Sequence, residues 1–156
     1  MNTSEFLNIS ALIVPERPAI VFDGKTITFQ ELVDRVNRLA AVLQNAGVGP
    51  GDRVATVQVN CNEHIEAYFA SAQLDAVYVP INFRSTADEI EFMISDSAAK
   101  VVIAGERYLD LIDEVRSHLS SVSVYIGLDH TLSLIHISEP TRPRLNSYAV
   151  FCLKKK

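Results

Sequence analysis

No stretch of this sequence is apolar for long enough to cross a membrane. The longest apolar runs, such as Val101–Ala104 and Ala76–Ile81, fall far short of the ~20 residues that a helical span needs. The first residues, Met1-Asn2-Thr3-Ser4-Glu5, offer neither a basic n-region nor an apolar h-region, so no secretory signal is expected. Cysteine is scarce. Cys61 and Cys152 are too few for a disulfide framework and lack metal-ligand spacing. No second histidine is spaced to join His64 in holding a metal. These absences suit a reducing cytoplasm. Basic residues are also thin over most of the chain, with 9 Lys and Arg against 18 Asp and Glu in residues 1–131. An acidic body argues against a general nucleic-acid binder, which needs a basic face to meet phosphates.

What the sequence does have is alternation. Ala19–Phe22 and Lys25–Ile27 flank Asp23-Gly24, which predicts a β-hairpin. Thr28-Phe29-Gln30-Glu31 predicts a capping box, and Leu32, Val36, Leu39, Leu43 and Ala46 continue it as one helical stripe. Gly47 should end that helix in a left-handed conformation, with Val48 folding back on Leu43. After a turn at Gly49-Pro50-Gly51-Asp52, Val54–Val59 reads as a strand. Asn62 should cap a second helix that buries Ile65, Phe69 and Ala72. Val77–Val79 reads as a short buried strand closed by Pro80. Ser85 or Thr86 should cap a third helix with Ile90, Met93 and Ile94 inward. A strand at Val101–Ala104, a stripe of Tyr108, Leu111, Ile112, Val115 and Leu119, and a strand at Val122–Ile126 follow. Strands alternating with helices predict an α/β fold around a mostly parallel sheet covered on both faces.

The alternation stops after residue 131. Residues 132–156 show no period and hold 5 Lys and Arg against one Glu. Leu132-Ser133-Leu134-Ile135-His136-Ile137-Ser138-Glu139-Pro140-Thr141-Arg142 resembles the in-frame translation of a transposon-type DNA-sequencing adapter. Ser147–Leu153 resembles the far end of that adapter, and Lys154-Lys155-Lys156 reads as a run of A bases. Pro143–Leu145 falls where a variable index would lie. The body is therefore drawn as 1–131, and 132–156 as a non-native tail expected to be disordered.

The body carries a further resemblance, spread over an ordered set of motifs. Pro18-Ala19-Ile20 leads to Thr28-Phe29-Gln30-Glu31-Leu32, then Asn37-Arg38-Leu39-Ala40, then Gly47-Val48-Gly49-Pro50-Gly51-Asp52-Arg53-Val54. Asn60 and Glu63, Ala76-Val77-Tyr78-Val79-Pro80-Ile81-Asn82, Glu89, Asp96-Ser97 and Lys100 continue it. Over about residues 15–105 this resembles the opening of the adenylate-forming superfamily of AMP-dependent synthetases and ligases, which includes acyl-CoA synthetases. Asn82-Phe83-Arg84 is more similar to bacterial fatty-acid and aryl-acid CoA ligases than to luciferases. Asp75 departs from the pattern, standing where the family has glycine.

The resemblance implies a parent enzyme that joins a carboxylic acid to ATP with Mg2+ as an acyl-adenylate, then lets the thiol of coenzyme A displace AMP. Family members do this with a Ser/Thr/Gly-rich loop ending in Pro-Lys-Gly, a later acidic ribose ligand and a lysine on a mobile C-terminal domain. None of these occurs in residues 1–131. The chain is thus expected to be an incomplete N-terminal subdomain with no catalytic residue of its own, the rest of the enzyme missing. ATP, Mg2+, coenzyme A and the acid would serve the parent, and none is expected to bind this piece strongly. The alternative is a self-standing, non-catalytic interaction module derived from the same subdomain. For cofactor binding, the resemblance implies that Arg84 contacts the nucleotide phosphate of coenzyme A, weighed against a solvated loop arginine or a partner for Asp88. Gly47–Gly51 follows a helix and precedes a strand, the wrong order for a dinucleotide loop, and reads as a cap and turn. His64 reads as a packing or surface histidine, His118 as a cation near a helix C-terminus, and Glu89 and Glu91 as a solvated helix face. Cys61 reads as a small strand-end residue, with a lowered pKa conceivable at a helix N-terminus.

Overall fold

The computed structural model describes residues 2–128. The segment 132–156 lies outside the described residues. Residues up to 52 together with 60–78 form one compact unit, and 53–59 with those from 79 onwards form a second.

The first unit contains α1 (Thr3–Ile13), the hairpin strands β1 (Pro18–Phe22) and β2 (Lys25–Thr28), α2 (Phe29–Asn45) and α3 (Asn62–Gln73). The hairpin turns on Asp23 and Gly24 with φ of 48° and 70°, the two positive values of a type I′ turn. The capping box of α2 is closed in both directions. The Glu31 amide donates to Thr28 Oγ1 at 3.2 Å, and the Thr28 amide donates to Glu31 Oε2 at 2.8 Å. At the other end Gly47 has φ 83°; its amide donates to the Gln44 carbonyl, and the Val48 amide donates to that of Leu43. That is the Schellman pattern expected from the sequence, and Val48 is buried with Leu43.

Two features of this unit differ from expectation. Helix α1 has no counterpart in the sequence reading. Leu7 and Ala11 are buried, but Phe6, Ile9, Leu12 and Ile13 are exposed, so apolar residues surround the helix and blur its period. The second difference is in α3. Cys61 rather than Asn62 holds the N-cap position, and the buried face is Glu66, Ala67, Ala70 and Ser71. Ile65 is exposed, while Phe69 and Ala72 are only partly covered. Arg35 on α2 explains the choice of face: its Nε donates to Glu66 Oε1 at 2.7 Å, and Asn62 Nδ2 donates to the same oxygen. A fully buried carboxylate needs such partners, and small residues beside it let α2 and α3 pack closely.

Asp75, just past α3, has φ 52°. The glycine expected by family resemblance would sit there without strain. Here the Asn2 side chain donates to Asp75 Oδ1 at 2.9 Å and also to the Ala72 carbonyl, tying the start of α1 to the end of α3. Substitution Asp75→Ala keeps the backbone cost and removes the tie, so urea denaturation should show a loss of about 1 kcal/mol. Asp75→Gly should cost less than Asp75→Ala. Equal losses would mean the left-handed backbone carries no cost.

The second unit holds a four-stranded sheet in the order β4-β3-β5-β6. Its strands are β3 (Arg53–Val57), β4 (Val77–Ile81, of which Val79 onwards lies in this unit), β5 (Val101–Gly105) and β6 (Val124–Leu128), with helices α4 (Ala87–Asp96) and α5 (Leu109–Val115) between them. β5 runs parallel to β3 and β6 parallel to β5, with Val101 opposite both Val54 and Val124. Ala55, Val57, Val102, Ala104 and Tyr125 form one face, packed with Ile90 and Ile94 of α4 and Ile112 and Val115 of α5. Val54, Thr56, Val101, Ile103 and Ile126 on the alternate face are buried as well, as the near-continuous apolar strands predicted. Arg53 reaches from β3 to the Ser97 and Ala98 carbonyls at 2.9 Å, closing the C-terminal end of α4.

Here too the expectations need adjustment. β4 is longer than expected and only partly buried. It runs through Pro80 to Ile81 at a sheet edge, with Val77 and Pro80 exposed. Pro80 is tolerated because an edge strand has no outer partner for the missing N–H. The last strand begins at Val124, two residues later than expected, because Val122 packs into the core from the preceding turn.

Candidate functional site

In an open parallel sheet, ligands gather where strands end and loops lead into helices. After β4, Asn82 accepts the Arg84 amide on its Oδ1 at 3.0 Å, which folds the loop into an Asx turn. Arg84 is exposed, with its guanidinium 5.3 Å from the centre of the Phe83 ring. No ion pair joins it to Asp88 among the described residues. The loop then enters α4 through a second capping box. The Glu89 amide donates to Thr86 Oγ1, and the Thr86 amide donates to Glu89 Oε2. The α4 N-terminus is thereby occupied by its own side chains and carries Asp88 and Glu89, so it does not favour an anion. Beside it lies an open groove of about 470 Å3 lined by Asn82, Ser85, Asp88, Glu89, Phe92 and Met93. Arg84 is not among its lining residues, and any phosphate held by this loop would depend on the Arg84 fork itself.

The glycine-rich run Gly47–Gly51 has its amides committed to the protein. Gly47 and Val48 donate to α2, the Gly49 amide donates to Asp52 Oδ2 at 2.9 Å, and the Gly51 amide donates to the Asp75 carbonyl. A phosphate cradle needs amides converging on one empty point, and these point to four different acceptors.

His64 meets Tyr78 through Nδ1 and the phenol oxygen, consistent with a packing role. His118 Nδ1 lies 2.9 Å from Glu91 Oε2, so Glu91 has a specific neighbour rather than a bare solvated face. No cluster of three metal-ligating side chains occurs among the described residues. Cys61 is buried at the α3 N-cap, and its thiol is pushed up to about 12 by burial and by Glu63. The lowered pKa that a helix N-terminus could give is therefore absent. Desolvation and the adjacent carboxylate outweigh the helix. Folding keeps this thiol protonated, so its contribution to stability is complete below pH 9 and declines as pH rises toward 12. Between pH 8.5 and 10.5, Cys61→Ala should lose less stability than the parent sequence in urea melts. Identical slopes would remove Cys61 as a source.

Among the buried polar features that the sequence did not reveal are the Arg35–Glu66–Asn62 network and the Tyr125 hydroxyl, which has no hydrogen-bond partner among the described residues. The spacing of Asn62 and Glu66, one helical turn apart, was the available signal for the first.

The description of the AMP-binding enzyme family matches residues 9–146, a wider span than the motifs quoted above. A long-chain-fatty-acid–CoA ligase of Mycobacterium tuberculosis, FadD13, is 35% identical over 133 residues, covering 82% of this chain and 26% of that protein. A feruloyl-CoA synthase of an Amycolatopsis species is 43% identical over 93 residues, covering 60% of this chain and 19% of its own length. Among solved structures, a protein described as a long-chain-fatty-acid CoA ligase of Rhodopseudomonas palustris CGA009 superposes with a TM-score of 0.80 at 35% identity. That superposition covers 83% of this chain and 33% of the other. The chain spans about a fifth to a quarter of the length of these two curated relatives.

Proposed function

The chain belongs to the AMP-binding enzyme family, and from that we propose that it is the N-terminal part of an AMP-forming acid–CoA ligase that does not work alone. The carrying observation is the agreement of fold and ordered motifs with acyl-CoA and aryl-CoA ligases over one short part of their length. The whole ligase would activate a carboxylic acid with ATP and Mg2+, release pyrophosphate, and pass the acyl group to the thiol of coenzyme A. Within the present chain Arg84 is the group we assign to coenzyme A, its fork donating to a phosphate at the end of β4. The remaining glycine-rich and helix-terminal amides are spent on the fold itself, which supports placing the triphosphate site elsewhere in the ligase. The enzyme would act in the cytoplasm, with no nucleic-acid partner. Residues 132–156 we read as adapter-derived and foreign to it, with the end of the family match, which runs to residue 146, overlapping that segment.

The test is to resequence the source locus through Asp129 and to assay the uninterrupted product. A frame that continues into a Thr/Ser/Gly-rich loop, with acid-dependent ATP–pyrophosphate exchange, supports the proposal. A frame that stops within a few codons favours a self-standing interaction module instead.

A further inference from the structure

The start of α1 and the end of α3 frame an open pocket of about 530 Å3 whose lining includes Asn2, Tyr68, Ala72, Asp75, Ala76 and Tyr78. All of these residues belong to the first unit. Two phenol rings and one carboxylate are the electron-rich groups of the lining, and no Lys or Arg is part of it. The rings of Tyr68 and Tyr78 stand 87° to each other with centroids 5.8 Å apart. Each is braced by a further ring. Phe69 lies 5.2 Å from Tyr68, and His64 packs on Tyr78 and meets its hydroxyl through Nδ1. Asn2 holds Asp75 Oδ1, while Oδ2 has no hydrogen-bond partner among the described residues. Asp75 adopts φ 52° where the family pattern has glycine, so a carboxylate stands on a backbone that glycine would hold without strain. Strained residues cluster where a particular side chain is put to use. The first unit also holds 4 Lys and Arg against 9 Asp and Glu, so its field draws cations.

We propose that this pocket, with Tyr68, Tyr78 and Asp75 as its recognition groups, binds a small quaternary ammonium compound. Aromatic faces attract a cation through the ring quadrupole, and two perpendicular rings present a corner to it. Asp75 adds a full negative charge beside that corner, which the glycine of the family pattern lacks. The class of cation follows from the acceptors present. A primary ammonium or a guanidinium needs an acceptor for each N–H, and one oxygen of the Asp75 carboxylate is already engaged by Asn2. A quaternary ammonium has no N–H to satisfy, and its methyl groups suit the ring faces and the Ala72 and Ala76 methyls. The pocket lies wholly within the first unit, so the proposal stands or falls independently of the ligase reading.

Titrating the 156-residue chain with choline chloride at constant ionic strength tests this, with the aromatic proton resonances of Tyr68 and Tyr78 as the readout. Both rings should shift saturably, with a Kd on the order of a few millimolar. The neutral isostere of choline, with a tert-butyl group in place of trimethylammonium, should leave them unmoved. Ethanolamine, the primary ammonium counterpart, should bind about 10-fold more weakly than choline. Asp75→Gly removes the charge and relaxes the backbone, so it should fold and weaken choline binding about 10-fold. Tyr68→Leu should weaken it by a similar factor, whereas Tyr68→Phe keeps the ring and should bind as the parent does. The proposal is overturned by the absence of a saturable shift, by an equal response to the neutral isostere, or by unchanged affinity in Asp75→Gly. Ethanolamine binding as tightly as choline overturns the quaternary class.

Discussion

Purified and mixed with ATP, labelled pyrophosphate and a panel of fatty, aryl and short-chain acids, the 156-residue chain should give no exchange above a protein-free blank. The uninterrupted ligase should give robust exchange with at least one acid. Adenylate formation passes through a phosphoryl centre whose growing charge must be met by converging amides, a cation and metal-bound oxygens. The glycine amides near Gly47–Gly51 are bound internally, and the α4 N-terminus is closed by Thr86 and Glu89. Among the described residues, Arg84 after β4 and Arg107 after β5 are exposed cations at strand ends, each a single fork resting on a neighbouring ring. Removing one stabilising donor from a working site typically costs 10²–10³ in rate, and no converging set of such donors occurs among the described residues. Exchange by the short chain alone would show that an activating site exists within it.

The second large effect is expected from Arg35. Substituting Arg35→Met should cost about 3 kcal/mol in urea denaturation, at the lower end for a broken buried pair because the Arg35 side chain is itself 29% exposed. The Glu66 side chain is 0% exposed, so losing its cation leaves a carboxylate that water cannot reach. Combining Arg35→Met with Glu66→Gln should recover part of the loss, because a neutral amide tolerates the site better than a buried charge that has lost the Arg35 guanidinium. A single-substitution loss under about 1 kcal/mol would mean the pair behaves as a surface salt bridge.

Local chemistry made much of the fold legible. The two capping boxes, the Asp23-Gly24 hairpin and the Gly47 helix end each rest on residues within six positions of one another, so the sequence carries the whole interaction. Apolar runs at Val54–Val57 and Val101–Ala104 marked strands buried on both faces for a similar reason. What escaped depended on distant partners. The face that α3 buries is set by Arg35, 31 residues earlier, and overrides the apolar stripe of Ile65, Phe69 and Ala72. Whether β4 sits at a centre or an edge is decided by strand order, which its own five residues cannot express. The candidate site was legible only through family resemblance. That resemblance picked out Arg84 and explained Asp75 as a departure, but the closure of the α4 N-terminus against anions emerged from geometry.

The strand order has a consequence for how this chain is made. On the ribosome β3 emerges first, β4 takes one side of it, β5 the other, and β6 then joins β5. After β4 is in place with Pro80 in its backbone, every later strand is added on the same flank, in the order of synthesis. No strand has to be threaded between two already paired, and no finished edge has to reopen. The strand order among the described residues therefore lets the sheet grow in the order of synthesis, without reopening an edge already paired.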